Sequence, residues 1–289
     1  MFFYCERSKV NEKKIYGLLI AIIMVLGLCG CDFLKEKGDG DIVTDRNEAI
    51  LYFLDCNYEL IPNKGNPKAI IDRYNALAEQ GKTDGFFPLI IIPSDILIES
   101  LELFLEYNNI ENTQESIASY RQRVIDMSNE IDAVAFLSSQ IDKTLALYNS
   151  AGFDIFGQFV QPNPQNALTL HMLEYESCEA VIIAKIPTQN PWELAAWIPM
   201  GGFNECPMPA EQVAIFRYWY EKYGAVPAAV TYDTWQMILT RPPLTEEEAE
   251  ALAKEHFAFC PDTVLQGAET IRGLASTLKD SSAWFFWWD

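Results

Sequence analysis

The sequence predicts a mixed α/β fold, of the α+β type, in which helices flank a mixed β-sheet. Three observations lead to this prediction. Segments with helical three-four periodicity alternate with short apolar runs of strand length, hydrophobic residues make up 49% of the chain, and glycine and proline supply only 15 residues each. Such an apolar content excludes a disordered chain, and the low glycine content excludes a collagen-like one. With 289 residues, the chain is long enough to bury a substantial core.

The N-terminus has the pattern of an export signal. Residues 1–14 carry a net positive charge, and the uncharged run that follows, Ile15 to Leu28, has 14 residues. This run is shorter than the roughly 20 residues that a membrane-spanning helix needs. We therefore expect residues 1–30 to be a signal peptide.

The end of the signal and the residue that follows it read Leu28-Cys29-Gly30-Cys31, which resembles the lipobox of bacterial lipoproteins. The resemblance implies that Cys31 is the lipidated residue, with palmitate among its acyl chains, and that it holds the protein at a membrane. Residues 31–43 would then form a polar tether. The alternative is an uncleaved N-terminal anchor, and both interpretations place the rest of the chain on the extracytoplasmic side, in the periplasm or at the cell surface.

The charge of the chain restricts its partners. The formal net charge is −20, and removal of residues 1–30 would make it −22. Nucleic acid is excluded as a partner because phosphate binding needs clustered Lys and Arg. An anionic bilayer would repel the chain, so the lipid on Cys31 would provide its contact with the membrane. The acidity could attract a basic protein partner, and the alternative is an ordinary solvated surface.

The segment 44–152 is expected to form an N-terminal α/β part with a pair of helices. A first helix starts at Thr44. Strand, helix and strand patterns then follow over Tyr58–Ile61, from Pro67 to about Gln80 with Gly81 as the stop, and over Phe86–Ile92, and a further helix starts near Ser94. This order predicts a βαβ unit with parallel strands. Apolar stripes over 117–127 and 134–148 predict two antiparallel helices, with inward residues that include Met127 and Val134.

The segment 153–289 is expected to form a C-terminal α+β domain. The predicted elements are strands over 153–160 and 178–186, a helix over 209–223, a hairpin over 226–239, a capped helix from Thr245 to about Phe259, a helix over 263–278, and a terminal strand that begins at Ala283. Five consecutive aromatic residues, Trp284 to Trp288, alternate between both faces of that strand, which favours a place in the sheet. The two parts of the chain could share one sheet.

Several segments of the C-terminal part resemble a known family. They are PWELAAWIPMGGFNECP at 191–207, the helix VAIFRYWYEKYGA, EHFAFCPD at 255–262, the following Gln266-Gly267, and the terminal AWFFWWD. These motifs are similar to those of the bacterial domain of unknown function 4253 family, over residues 178–289. FFPLIIIPSD at 86–95 is a weaker match. The family has no established activity, so the resemblance implies kinship and no particular chemistry.

One group of side chains is a candidate for catalysis. His256 and Cys260 lie four residues apart, which places them on one side of a helix, and Glu255 and Asp262 are their neighbours in sequence. A hydrolase-type enzyme could use Cys260 as the nucleophile, with His256 and a nearby carboxylate. The alternative is that His256 and Cys260 belong to the core, because the apolar stripe of the helix includes them.

Metal, cofactor and disulfide sites receive little support from the sequence. His256 and Cys260 could also be two ligands of a metal, but no spacing supports further ligands from Cys206, His171 or an acid, so no metal is predicted. No cofactor is predicted either, because no recognised motif for one occurs. Four cysteines follow Cys31, and a disulfide between Cys206 and Cys260 is an alternative to free buried thiols.

The leading functional hypothesis is a lipid-anchored, non-enzymatic binding or interaction protein at the outer face of a bacterial membrane. In a narrower version of this hypothesis, the protein is protective and neutralises a toxin. The competing hypothesis is the hydrolase that uses Cys260 and His256.

Overall fold

The structure, a computed structural model, describes residues 45–152, 154–170, 175 and 178–289. The predicted signal peptide, Cys31 and the tether over 31–43 lie outside the described residues. Among the helices that are described, none is long and apolar enough to span a membrane.

The described helices and strands follow one another along the chain in a mixed α+β pattern, which confirms the predicted fold class. The helices are α1 (Asp45–Leu54), α2 (Pro67–Asp84), α3 (Asp95–Tyr107), α4 (Gln114–Ser128), α5 (Ala133–Ala151), α6 (Pro209–Tyr223), α7 (Glu246–Phe259) and α8 (Ile271–Leu278). The strands are β1 (Asn57–Pro62), β2 (Phe87–Ile91), β3 (Ala180–Ile186), β4 (Val226–Val230), β5 (Thr234–Ile238) and β6 (Ala283–Trp287). A 3₁₀ segment, Pro191–Ala196, precedes α6, and a π-helical segment, Thr263–Ala268, precedes α8.

Strands from both predicted parts of the chain share one sheet. In the described residues the sheet has six strands in the order β1-β3-β2-β4-β5-β6. β2 and β4 are parallel, and every other neighbouring pair is antiparallel. The parts 44–152 and 153–289 are thus joined through their strands.

The two strands of the predicted βαβ unit are parallel, as expected, but they do not pair with each other. β1 and β2 run parallel to each other, but β3 lies between them and pairs antiparallel with both. The burial of the strands explains the order: β3 is buried along almost its whole length, whereas β1 has no fully buried residue and therefore suits the edge. Two consecutive strands alone do not show that a later apolar strand inserts between them.

The sheet buries both of its faces, each in a separate cluster. In β2, Leu89 and Ile91 belong to the larger cluster, which includes residues of α3 to α8, and Ile90 belongs to a smaller cluster with Tyr74 of α2. This alternation is the period of two that a strand imposes on its side chains. β6 follows it too, because Trp284, Phe286 and Trp288 enter the larger cluster.

Two predicted helix boundaries are wrong. α2 continues past Gly81 to Asp84 and ends at Gly85, which has a positive φ of 78°. Gly81 is a buried residue inside the helix, and glycine is required there because any Cβ would lie 2.2 Å from the carbonyl oxygen of Phe86. The predicted helix over 263–278 is divided into the π-helical segment and α8, and Glu269 between them has a φ of 63°.

Residues 154–160, in the predicted strand 153–160, form no strand. The carbonyl oxygens of Ile155 and Phe156 instead accept hydrogen bonds from the N–H groups of Ile271 and Arg272, at 2.9 and 3.0 Å. These N–H groups belong to the first turn of α8, where a helix has no internal partner for them. The backbone of this segment therefore completes a helix end.

The predicted pair of helices, α4 and α5, is present, but its packing differs from the expectation. α4 packs mainly on α6, and α5 packs mainly on α7. Met127 and Val134, which we expected to face inward, are 55% and 50% exposed. These two side chains therefore lie outside the core, although their neighbours Ser128 and Ala133 are buried.

Candidate functional site

His256 lies in an aromatic enclosure within the core. It is 1% exposed, and its ring centroid lies 5.3 Å from that of Trp219, 4.7 Å from that of Trp284 and 4.6 Å from that of Phe286. Burial lowers the pKa of His256 to about 3, so the imidazole is neutral at pH 7. Its Nε2 atom is buried without a hydrogen-bond partner. A general base must reach a substrate, and this imidazole is enclosed by rings.

Cys260 ends α7 and is fully buried. Its thiol donates a hydrogen bond to the carbonyl oxygen of Trp287 at 3.0 Å. Burial raises the pKa of Cys260 to about 12, which keeps the sulfur protonated. Because a thiolate is the reactive form of cysteine, this environment makes Cys260 a poor nucleophile.

The two carboxylates of the candidate group have separate structural roles. Glu255 accepts hydrogen bonds from the hydroxyl of Tyr218 at 2.8 Å, from Nε1 of Trp219 at 2.9 Å and from Nζ of Lys222 at 2.8 Å. Asp262 accepts a hydrogen bond from the backbone N–H of Asp289 at 3.1 Å. Glu255 thus joins α7 to α6, whereas Asp262 holds the segment after β6.

The structure therefore places His256 and Cys260 in one core region but gives them no direct side-chain hydrogen bond. Cys206 is buried nearby, and both it and Cys260 are free thiols, so the Cys206–Cys260 disulfide is not formed. Burial raises the pKa of Cys206, and the neighbouring Cys260 raises it further. In the part of the chain that the structure describes, no three His, Cys, Asp or Glu side chains converge as ligands for a metal.

A buried glutamine that the sequence analysis did not single out organises the loop before α6. Gln212 is fully buried, and its Nε2 donates to the carbonyl oxygens of Met200 and Pro207, both at 2.7 Å. Its Oε1 accepts from Nε1 of Trp235 at 2.9 Å. The only sequence signal was a polar residue in the otherwise apolar face of α6. This network fixes the loop 200–207 against β5.

The loop 200–207 borders a small cavity beside the end of β6. The cavity has a volume of about 210 Å³, and its lining includes the rings of Phe203, Tyr232 and Trp288 and the carboxylates of Asp233 and Asp289. Ser100 of α3 contributes to the same lining. Nε1 of Trp288 is buried and has no hydrogen-bond partner. The cavity therefore combines aromatic walls with acidic groups.

A larger cavity, of about 410 Å³, lies between α5 and α7. Its wall includes Glu250 and Glu255, but nearby cations already pair with both carboxylates. Glu250 binds Lys254 and Arg272 at 2.7 and 2.9 Å, and Glu255 binds Lys222 at 2.8 Å. The third glutamate of the wall, Glu247, has no ion pair among the described residues, so cations compensate two of the three carboxylates.

Comparison with known proteins gives one match. A search of curated proteins and a search of solved structures each found no similar chain. The family model described as a domain of unknown function (DUF4253) matches residues 182–289. The matched segment runs from β3 through β6 and contains α6, α7, Gln212, His256 and Cys260. This match confirms the predicted resemblance of the C-terminal part of the chain to the DUF4253 family.

Proposed function

We propose that this chain is a lipid-anchored, non-enzymatic binding protein at the extracytoplasmic face of a bacterial membrane, where it protects the cell by holding a basic protein partner. The observation that supports this proposal best is the burial of His256 and Cys260, which are 1% and 0% exposed. These two residues were the basis of the hydrolase hypothesis. With a neutral imidazole and a protonated thiol enclosed in the core, nothing in their geometry favours catalysis.

The charge of the chain supports a basic partner. The formal net charge of −20 comes from 41 acidic and 21 basic residues. A charge of this size raises the rate at which an oppositely charged protein associates, and it opposes binding to an anionic surface. A lipid on Cys31 would keep the acidic chain at a bilayer that its own charge disfavours.

The membrane attachment is tested with two single variants in cells supplied with labelled palmitate. We expect wild type and Cys29→Ser to incorporate the label and to sediment with membranes. Cys31→Ser should lose the label and leave the membrane fraction, or keep its signal uncleaved. A Cys31→Ser protein that still carries lipid and sediments with membranes would contradict the proposed anchor.

The binding function is tested with a set of small folded proteins that differ in net charge. The full chain is held in phosphatidylcholine nanodiscs, and empty nanodiscs serve as the blank. We expect basic proteins to bind and acidic proteins not to bind, with an affinity that falls as salt rises. Equal binding of acidic and basic proteins, or no binding of either, would contradict the proposal.

A further inference from the structure

One helix of the fold has an apolar stripe on its outer face. The apolar residues Ile96, Leu103 and Tyr107 of α3 lie on one side of the helix. The polar Ser100 lies between the first two on the same side, so that the four positions are spaced by four, three and four residues. Ile96 is 44% exposed, Leu103 is 51% exposed and Tyr107 is 82% exposed. We call these four residues the α3 face. The opposite side of the helix already fills the core with Leu97, Leu101 and Leu105.

A row of carboxylates borders the α3 face. Glu99, Glu102 and Glu106 lie next to it around the helix, and all three are exposed. In the described part of the chain no ion pair holds any of them, and α3 contains no basic residue. The nearby Asp95 pairs with Arg46. The negative charge beside the apolar stripe is therefore uncompensated.

The α3 face also adjoins the small cavity beside β6. Ser100 belongs to both, and the cavity adds the half-buried ring of Phe203 and the carboxylates of Asp233 and Asp289. The two features form one surface with an apolar centre, an aromatic recess and acidic borders. The larger cavity between α5 and α7 differs, since two of its three glutamates, Glu250 and Glu255, are already paired with cations.

We propose that the α3 face and the cavity beside β6 form the docking surface for a basic amphipathic helix of the partner protein. This inference rests on the proposed function, because it gives the location and the chemistry of the contact with a basic partner. The partner helix presents apolar side chains at three-four spacing to Ile96, Leu103 and Tyr107, and its Lys or Arg side chains pair with Glu99, Glu102 and Glu106. A second copy of this chain fits less well, because two rows of glutamates would meet.

The proposal is tested with the full chain in phosphatidylcholine nanodiscs and a dye-labelled helical peptide of Leu and Lys with the matching spacing. Fluorescence anisotropy gives the dissociation constant, and empty nanodiscs give the background. The apolar variant is Leu103→Ser/Tyr107→Ser, and its control is Val160→Ser/Leu244→Ser, at positions that are 59% and 63% exposed elsewhere on the surface.

The charge variant is Glu99→Gln/Glu102→Gln/Glu106→Gln. Its control, Glu130→Gln/Glu246→Gln/Glu247→Gln, removes the same number of charges from other exposed positions, and one of them, Glu247, lines the larger cavity. We expect both α3 variants to weaken peptide binding at least tenfold, whereas both controls stay within about twofold of wild type. Circular dichroism establishes that all four variants are folded.

The proposal would be overturned if the α3 variants bound the peptide as wild type does, or if the controls lost as much affinity as the α3 variants. It would also be overturned if the wild-type chain did not bind the peptide. A wild-type dimer that Leu103→Ser/Tyr107→Ser abolishes would also overturn it, in favour of a second copy on this surface. In each case the palmitate experiment and the binding of basic proteins by the wild-type chain report on the proposed function separately.

Discussion

Phe286 in β6 is the residue at which the packing of the terminal strand is tested best. Its side chain is fully buried, and its ring stacks on Trp219 with centroids 5.4 Å apart and planes 4° from parallel. It also meets Phe259 edge to face at 5.0 Å and His256 at 4.6 Å. Phe286→Ala removes all of these contacts and leaves a cavity among rigid rings that are unable to close it.

The expected cost of Phe286→Ala is about 3–5 kcal/mol of unfolding free energy, which is typical for a buried phenylalanine. In a chain of this size the melting temperature should fall by roughly 6–20 °C. Phe285→Ala is the matched control. Phe285 directly precedes Phe286 in β6, lies on the other face of the sheet and is only partly buried. We expect it to cost about half as much.

Urea unfolding followed by circular dichroism, together with a thermal melt, measures both variants. A Phe286→Ala protein within about 1 kcal/mol of wild type would refute the assignment of β6 as a structural strand. An equal loss of stability for Phe285→Ala would refute the proposed difference between the two faces.

Three further predictions concern the core and its cysteines. The pKa of His256 is about 3 in the folded chain against an ordinary value of 6.5, so below pH 6.5 unfolding takes up a proton. The contribution of the neutral imidazole to stability should therefore be complete above pH 6.5 and fall as the pH drops toward 3. Urea titrations should give wild type a steeper pH dependence of the unfolding free energy than His256→Leu, by up to about 1.4 kcal/mol per pH unit. Gln212→Leu should cost about 1–3 kcal/mol, because it leaves the indole N–H of Trp235 without its acceptor, and a Gln212→Leu protein as stable as wild type in urea would contradict this. Cys206 and Cys260 should resist iodoacetamide at pH 7.5 until urea unfolds the chain, and rapid alkylation of native Cys260, detected by peptide mass spectrometry, would revive the hydrolase hypothesis.

The hydrophobic periodicity of the sequence predicted those helices and strands whose buried side is set by their own residues. β6 was recognisable because aromatic residues occupy both faces of an extended chain, and α7 was recognisable from its capping box at Thr245, which the structure contains. The burial of His256 and Cys260 followed from the apolar stripe of α7. In these cases the residues that set the structure lie within a few positions of one another.

The features that the sequence did not predict depend on distant partners. The place of β3 between β1 and β2 is set by pairing across more than 90 residues, and residues 154–160 form no strand because their carbonyl groups accept hydrogen bonds from α8. The interior position of Gly81 depends on how closely Phe86 approaches it. Short apolar patterns contain no information on these long-range contacts.

The sequence of α3 does contain a signal for the α3 face. The segment DILIESLELFLEY has apolar residues on two sides of the helix, and the side with Leu97 and Leu101 fills the core. A surface helix of a monomer needs one apolar side. The second apolar side of α3, with Ile96, Leu103 and Tyr107, therefore indicates a docking surface.

Hydrogen–deuterium exchange locates the surface on which the chain docks a basic partner, which we propose is the α3 face. The full chain in phosphatidylcholine nanodiscs is measured with and without the helical Leu and Lys peptide. We expect added protection in residues 95–107 and in the segment 283–289, with no change over 133–151. Added protection over 133–151 and 246–259, or no change anywhere in the chain, would contradict the proposal.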